Sequence, residues 1–157
     1  MKKRGMAVTF LIGMVIGGFS IEYLMMKDLK NKTELADKHL SIVKVFNQWM
    51  IIKHKNKSVA DYLIGQGYKN IAIYGMSFLG ERLLEELQES NIQVKYAIDK
   101  SAGSISANIR VISPDQTFDE VDAIVVSSSY YFDDIYKTLS QKVEVPIINL
   151  EDVLYKI

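Results

Sequence analysis

Residues Ile71–Leu84 read IAIYGMSFLGERLL: an apolar run, a glycine, a short loop with a second glycine, and then a helix-like pattern. A strand that enters a glycine-containing turn before a helix is typical of the phosphate-binding turn of doubly wound α/β domains. The glycine positions of that turn correspond here to Gly75, Ser77 and Gly80. Serine stands where the middle glycine is often found, so the stretch predicts a phosphate-binding turn with one departure.

The chain beyond this turn alternates short apolar runs with helical patterns. Such alternation predicts a parallel sheet with helices on both faces. We therefore expect an α/β fold with a small doubly wound parallel sheet of about five strands in the order 3-2-1-4-5, preceded by a transmembrane helix and a helical stalk. The expected strands lie in residues 70–74, 92–99, 107–114, 122–129 and 145–150, and the expected helices in residues 79–90, 131–141 and 151–157.

The amino-terminal part of the chain contains a long apolar segment, Met6–Met26, with Glu22 as its one charged residue. A segment of this length can cross the hydrocarbon core of a bilayer, which is about 30 Å thick. Basic residues precede it, as in a signal peptide, but no small-residue cleavage site follows. We therefore expect an uncleaved single-pass anchor that holds the chain in a membrane through residues 6–26.

Three segments are predicted: an anchor at residues 1–26, a helical stalk at residues 27–57 and a Rossmann-like domain at residues 58–157. The stalk contains neither glycine nor proline, and Ser58 has the position of an N-cap before the next short helix. Residues 49–52, which read WMII, are expected to dock the end of the stalk.

Apolar residues recur every seven positions along the stalk, which is the spacing of a coiled-coil seam, but polar residues interrupt them. Packing on the chain's own domain and pairing with a second copy both remain open, and a homodimer is one candidate state. Gly13 and Gly17 in the anchor have the G-x-x-x-G spacing that lets transmembrane helices approach closely. The apolar positions are Leu29, Ala36, Val43 and Met50, and the interruptions are Thr33, Asn47 and His54.

Charge divides the chain unevenly. Residues 27–58 carry eight lysines against three acidic residues, whereas residues 59–157 carry eight basic against fifteen acidic residues. A basic stalk suits the anionic cytoplasmic leaflet, so the domain is expected in the cytoplasm, although the basic residues close to the anchor are nearly even on its two sides. The acidic domain argues against a nucleic-acid partner. The absence of cysteine excludes disulfides.

The turn itself supplies the first candidate binding residues: Gly75, Ser77, Phe78, Leu79 and Gly80. Glycine permits a tight turn and close backbone approach, while free N–H groups at the start of a helix attract an anion. The Cβ of Ser77 restricts how closely a pyrophosphate approaches the backbone. This favours a ligand that makes fewer close backbone contacts than a full dinucleotide does. A purely structural turn is the alternative.

Two further elements are expected to end at the same edge of the sheet. Asp99 follows the second strand, 24 residues after Gly75, near the place where an acidic residue accepts hydrogen bonds from a ribose. Ser127 and Ser128 follow the fourth strand and provide hydroxyls for a sugar or phosphate. The simpler alternatives are a turn-forming Asp99 and a serine-rich N-cap before the next helix.

No catalytic or metal-binding constellation is evident. The chain has no cysteine, and His39 and His54 both lie in the stalk. The Tyr-x-x-x-Lys spacing of a short-chain dehydrogenase occurs at Tyr23 and Lys27, at the anchor, and at Tyr96 and Lys100, in and after the second expected strand rather than in a helix. No serine has a visible base partner, so the sequence favours a protein without catalytic residues.

The segments GYKNIAIYGMSFLGERLLEEL, VKYAIDK and IRVISPDQTFDEVDAIVVSS resemble the nucleotide-binding Rossmann-like domains of bacterial surface-polysaccharide biosynthesis, such as the amino-terminal domains of sugar acyltransferases. The resemblance covers about residues 67–150. It implies that Gly75, Ser77, Gly80 and Asp99 contact a nucleotide or nucleotide sugar. We expect the chain to depart from that group in having no transferase domain.

These observations lead to one expectation and two alternatives. We expect a membrane-anchored, non-catalytic module that binds a nucleotide or nucleotide sugar and assists cell-envelope polysaccharide biosynthesis beside glycosyltransferase-type membrane enzymes. The first alternative is an interaction scaffold that keeps the fold but no longer binds a ligand. The second is a minimal NAD(P)-dependent oxidoreductase that acts on sugars. A nucleotide sugar and NAD(P) are the candidate ligands.

Overall fold

The computed structural model describes the backbone of residues 2–157 and the side chains of residues 22–157. The chain divides into two compact units at Leu40–Ser41. The helices are α1 (Lys2–His54), α2 (Val59–Gly65), α3 (Phe78–Gln88), α4 (Phe132–Leu139) and α5 (Leu150–Lys156); the strands are β1 (Asn70–Tyr74), β2 (Gln93–Ile98), β3 (Val111–Ile112), β4 (Ala123–Val126) and β5 (Ile147–Asn149).

The first unit consists of α1 up to Leu40. Within residues 22–157, no helix is long and apolar enough to cross a membrane. Residues 6–21 of the expected anchor, including Gly13 and Gly17, lie outside the residues whose side chains are described. The anchor therefore stays a prediction.

The second unit is built on a five-stranded parallel sheet in the order β3-β2-β1-β4-β5. This order confirms the expected 3-2-1-4-5 topology and the α/β class. The strand order reverses at β1, which pairs with β2 on one side and β4 on the other. The carboxyl ends of β1 and β4 therefore border the crevice where doubly wound folds bind ligands.

Both faces of the sheet are covered. Residues of β1 and β4 are almost all buried, as expected for central strands with helices on each side. Ile71, Ile73 and Val125 pack toward α2, α3 and α5. Ala72, Ile124 and Val126 pack on the opposite face, with Ile135 and Leu139 of α4.

Several element boundaries differ from the sequence-based expectation. Helix α3 begins at Phe78, one residue before the expected start, because Ser77 is its N-cap. The expected helix at residues 131–141 begins as a 3₁₀ turn at Ser129–Tyr131 and continues as the shorter α4. The third strand has only two residues. Ser58 caps α2 as expected, since its side chain accepts a hydrogen bond from the N–H of Asp61.

Asp122 fixes the start of β1 to the loop before β4. Its Oδ2 accepts hydrogen bonds from the backbone N–H groups of Lys69 and Asn70, at 2.8 and 2.7 Å. Both backbone hydrogen bonds lower the pKa of the Asp122 carboxyl, and the one from Asn70 has the larger effect. The two central strands are thereby held together at their amino ends as well as along their lengths.

The last turns of α1 pack against the sheet domain within the second unit. Val45, Trp49 and Ile52 are buried in the core, whereas Met50 and Ile51 are exposed. The expectation that the whole segment 49–52 docks is therefore right for Trp49 and Ile52 only. Successive residues of a helix point in different directions, so four in a row do not share one face.

Glu86 of α3 joins these last turns of α1 to the domain. Its side chain is only 8% exposed and accepts hydrogen bonds from Trp49 Nε1 at 2.8 Å and from the Val59 N–H at 2.7 Å. Lys53 Nζ forms an ion pair with the same carboxylate at 2.9 Å. This role was not predictable from the sequence, because Glu86 lies among other glutamates in an amphipathic helix.

We expect Glu86→Ala to destabilise the domain by about 1.5–3 kcal/mol, because it removes a charged acceptor from two N–H donors that stay partly buried. Urea unfolding, followed by the fluorescence of the single tryptophan, measures the loss. Glu85→Ala is the matched control: the Glu85 side chain is 57% exposed and pairs with Arg82 on the surface, so its loss should stay within about 0.5 kcal/mol. Equal losses for the two variants would contradict the assignment.

Candidate functional site

The turn after β1 requires a glycine. Gly75 has a φ of +94°, in the left-handed region that side chains disfavour. Its N–H donates to the carbonyl of Ile98, at the end of β2, at 2.8 Å. The backbone therefore reverses sharply between β1 and α3, as the sequence predicts.

Gly80 lies in the first turn of α3 and is needed for packing rather than for its backbone angles. A Cβ at Gly80 would lie 1.9 Å from the carbonyl oxygen of Gly75 and 3.2 Å from Ser127 Oγ. No side chain fits in that space. The two glycines thus act together: one makes the turn, and the other lets α3 approach it.

Ser127 holds the turn from the neighbouring strand. Its side chain is fully buried, and its hydroxyl donates to the Gly75 carbonyl at 2.7 Å and approaches the Tyr74 carbonyl at 3.2 Å. Ser127 is thus a support of the turn. Ser128 is half-buried, and its Oγ lies 2.4 Å from where a Cβ of Gly75 would be. Ser128 therefore also lies directly against the turn.

Asp99 is also attached to the turn. Its Oδ2 accepts a hydrogen bond from the Met76 N–H at 2.8 Å, and its Oδ1 accepts one from the Ser101 N–H at 2.8 Å. Each carboxylate oxygen can accept a further hydrogen bond, because each has two lone pairs. The sequence placed Asp99 at this edge correctly but did not indicate the contact with Met76.

The first turn of α3 faces solvent on one side. Ser77 and Phe78 are exposed, while the side chain of Leu79 is buried in the core. The Ser77 hydroxyl makes no capping hydrogen bond, although the residue occupies the N-cap. The positive end of the helix dipole is consequently open to a ligand at this point.

The chemistry that these residues offer is binding. The pKa of Tyr74, at the end of β1, is raised by burial and by the negative charges of Asp99 and Asp115, so its hydroxyl stays protonated at neutral pH. Among residues 22–157, no cluster of His, Cys, Asp or Glu could hold a metal ion. His39 and His54 belong to α1 rather than to the turn.

The third serine of the run after β4 also lies at this edge. The hydroxyl of Ser129 is buried, and within the described residues it has no hydrogen-bond partner. Buried hydroxyls almost always have a partner. The run of three serines after β4 was the available signal, but its third member could not be distinguished from the first two without coordinates.

The turn, Asp99 and the serines all fall within a region that matches a known family. A protein-family model described as C2185-like, N-terminal matches residues 67–147, just over half of the chain. The chain belongs to this family. The C2185-like N-terminal domain thus begins just before β1 and ends in β5, and it includes every candidate binding residue. Neither the curated proteins nor the solved structures that were compared with the chain gave a match.

We expect Gly80→Ala to destabilise the C2185-like domain by about 1–3 kcal/mol, because the added Cβ overlaps the Gly75 carbonyl. Alanine favours helices by about 1 kcal/mol over glycine, so a loss would report the packing itself. Thermal unfolding measures the change. Gly103→Ala is the control, since nothing lies within 4 Å of its Cβ position. A more stable Gly80→Ala protein would show that α3 does not need close contact with the turn.

Proposed function

We propose that the domain binds a nucleotide or a nucleotide sugar at the Gly75 turn and does not transform it. The proposal rests on the conformation and packing of two glycines, Gly75 and Gly80. Gly75 adopts a positive φ, and Gly80 has no room for a side chain beside the Gly75 carbonyl. This arrangement brings the start of α3 to the carboxyl ends of β1 and β4, where doubly wound folds bind nucleotides.

The phosphate in this proposal lies at the start of α3. Helix N-termini bind anions through free backbone N–H groups and the helix dipole. Ser77 is exposed, and its hydroxyl is free of the capping role it would otherwise have. That hydroxyl can donate to a phosphate oxygen, while its Cβ keeps the ligand slightly further from the backbone than a glycine would.

The nucleoside in this proposal lies between Asp99 and Phe78. The two backbone N–H groups that donate to Asp99 fix the orientation of its carboxylate, and the remaining lone pairs can accept hydrogen bonds from ribose hydroxyls. Phe78 is 71% exposed at the helix start, where its ring can stack on a base. Ser128 provides a hydroxyl on the β4 side.

The biological setting is proposed from the sequence. The resemblance to domains of surface-polysaccharide biosynthesis favours a nucleotide sugar over NAD(P). The apolar segment 6–26 and the basic stalk favour a membrane-anchored protein with a cytoplasmic domain. In that position the domain would hold a ligand close to glycosyltransferase-type membrane enzymes.

A specific contact favours a second candidate function, an interaction scaffold without a ligand. The Asp99 carboxylate already accepts the Met76 N–H, and its negative charge lies beside the turn where a phosphate would bind. A carboxylate can itself satisfy backbone donors at such a turn. In this alternative the Asp99 carboxylate replaces a bound phosphate, and the domain only binds other proteins.

Ligand binding by the full chain in mild detergent separates the two functions. Thermal shift and calorimetry with UDP, UDP-sugars, NAD(H), NADP(H) and coenzyme A should show saturable binding of a nucleotide sugar. Ser77→Asp should weaken it at least tenfold without lowering the melting temperature, because aspartate is a good N-cap but repels phosphate. Ser77→Asn, which has the same shape without the charge, is the matched control and should bind nearly as the parent does.

Three results would contradict the binding proposal. If none of the compounds binds, the scaffold is the better account. If Ser77→Asp binds as well as Ser77→Asn, the phosphate does not lie at the helix start. If both variants lose affinity equally, the effect is steric and the charge argument fails.

A further inference from the structure

Helix α1 carries a heptad seam that its own domain does not cover. In the register that places Leu29, Ala36, Val43 and Met50 at d positions, the a positions begin at Met26 and recur every seven residues. All eight of these side chains are exposed. The seam consists of Met26, Thr33, Leu40 and Asn47 at a, with Leu29, Ala36, Val43 and Met50 at d.

The seam exposes more apolar surface than a helix in water should. Leu29 is 66% exposed, Val43 62% and Met50 55%. In residues 22–40, every side chain except Lys38 is exposed. Helices in proteins owe most of their stability to packing of an apolar face. Nothing within residues 22–157 covers this apolar face, so a partner outside this stretch would stabilise it.

The docked part of α1 shows that the seam stays accessible beside the domain. Val45 and Ile52 are buried against the domain, and both occupy f positions, on the opposite side of the helix from a and d. Val43 and Met50 in the same turns remain exposed. The face that contacts the domain and the seam are therefore separate surfaces of one helix.

We propose that a second copy of this chain covers the seam, and that the two α1 helices form a parallel, in-register, two-stranded coiled coil across residues 26–50. The spacing spans about three and a half heptads, enough to sustain a coiled coil. Asn47 lies at an a position, and a buried asparagine there favours a two-stranded, in-register pair at a cost in stability. Asn47, which interrupts the apolar seam, therefore supports a two-stranded coiled coil.

Charge complementarity supports the same partner. In a parallel pair, a g residue of one helix faces the following e residue of the other. Lys32 at g would face Asp37 at e of the second copy, and symmetry makes this pair twice. This pair favours parallel alignment.

An anionic membrane surface suits the seam less well. A helix that lies on a membrane collects its basic residues on the polar face. The stalk lysines instead occupy b, e, f and g positions, on several sides of the helix: Lys27, Lys30, Lys32, Lys38 and Lys44. Pairing through the seam does not depend on ligand binding, so disproof of either proposal would not affect the other.

Disulfide crosslinking of the full chain tests the coiled coil, because the natural sequence has no cysteine. Met26→Cys and Leu40→Cys each place a thiol at an a position, two heptads apart. Under mild oxidation in detergent or in anionic vesicles, both variants should form covalent dimers in high yield. Asn31→Cys, at an exposed f position of the same helix, is the matched control and should stay largely monomeric.

The set of thiols that form crosslinks distinguishes parallel pairing of the two helices from the alternatives. Crosslinking of only one of the two thiols would indicate an antiparallel pair, and equal yields at Asn31 would indicate random collision; either overturns the proposal. Absence of both crosslinks would also overturn the proposal, and protection of the Leu40→Cys thiol from a soluble maleimide by vesicles would then show that a membrane covers the seam. Val43→Asp should reduce the Leu40→Cys crosslink at least tenfold without changing the melting of the domain. An unchanged yield would also overturn the proposal.

Discussion

The carbonyl of Gly75 is the group on which the rest of the site depends. It accepts a hydrogen bond from the Ser127 hydroxyl at 2.7 Å and lies where a side chain at Gly80 would otherwise be. The buried serine of β4 and the glycine of α3 therefore meet on one oxygen, which ties the two central strands to the helix. Because this contact leaves no room for adjustment, the start of α3 has a fixed position over the sheet.

Helix α3 also links this turn to the stalk. Its first residues form the candidate site, and Glu86 near its end binds Trp49, Lys53 and the Val59 N–H. A single helix of eleven residues thus contacts both the proposed ligand and the last turns of α1.

The sequence was sufficient for the strand order and for the turn, because apolar runs and glycines report local backbone needs directly. It could not assign Glu86, whose role comes from three partners distant in sequence, nor the Met76 contact of Asp99. Residues 49–52 read as one apolar block, yet Met50 and Ile51 are exposed. Which of a run of apolar residues is buried depends on the helix face and therefore on the tertiary contact.

Backbone amide shifts test most directly whether the turn between β1 and α3 is a ligand site. The ¹⁵N-labelled full chain in micelles would be titrated with UDP and, separately, with inorganic phosphate. We expect saturable shifts with UDP at the amides of Ser77, Phe78, Leu79 and Gly80, and at Ser101 through Asp99. Saturable shifts elsewhere, or none at these amides at millimolar UDP, would contradict it.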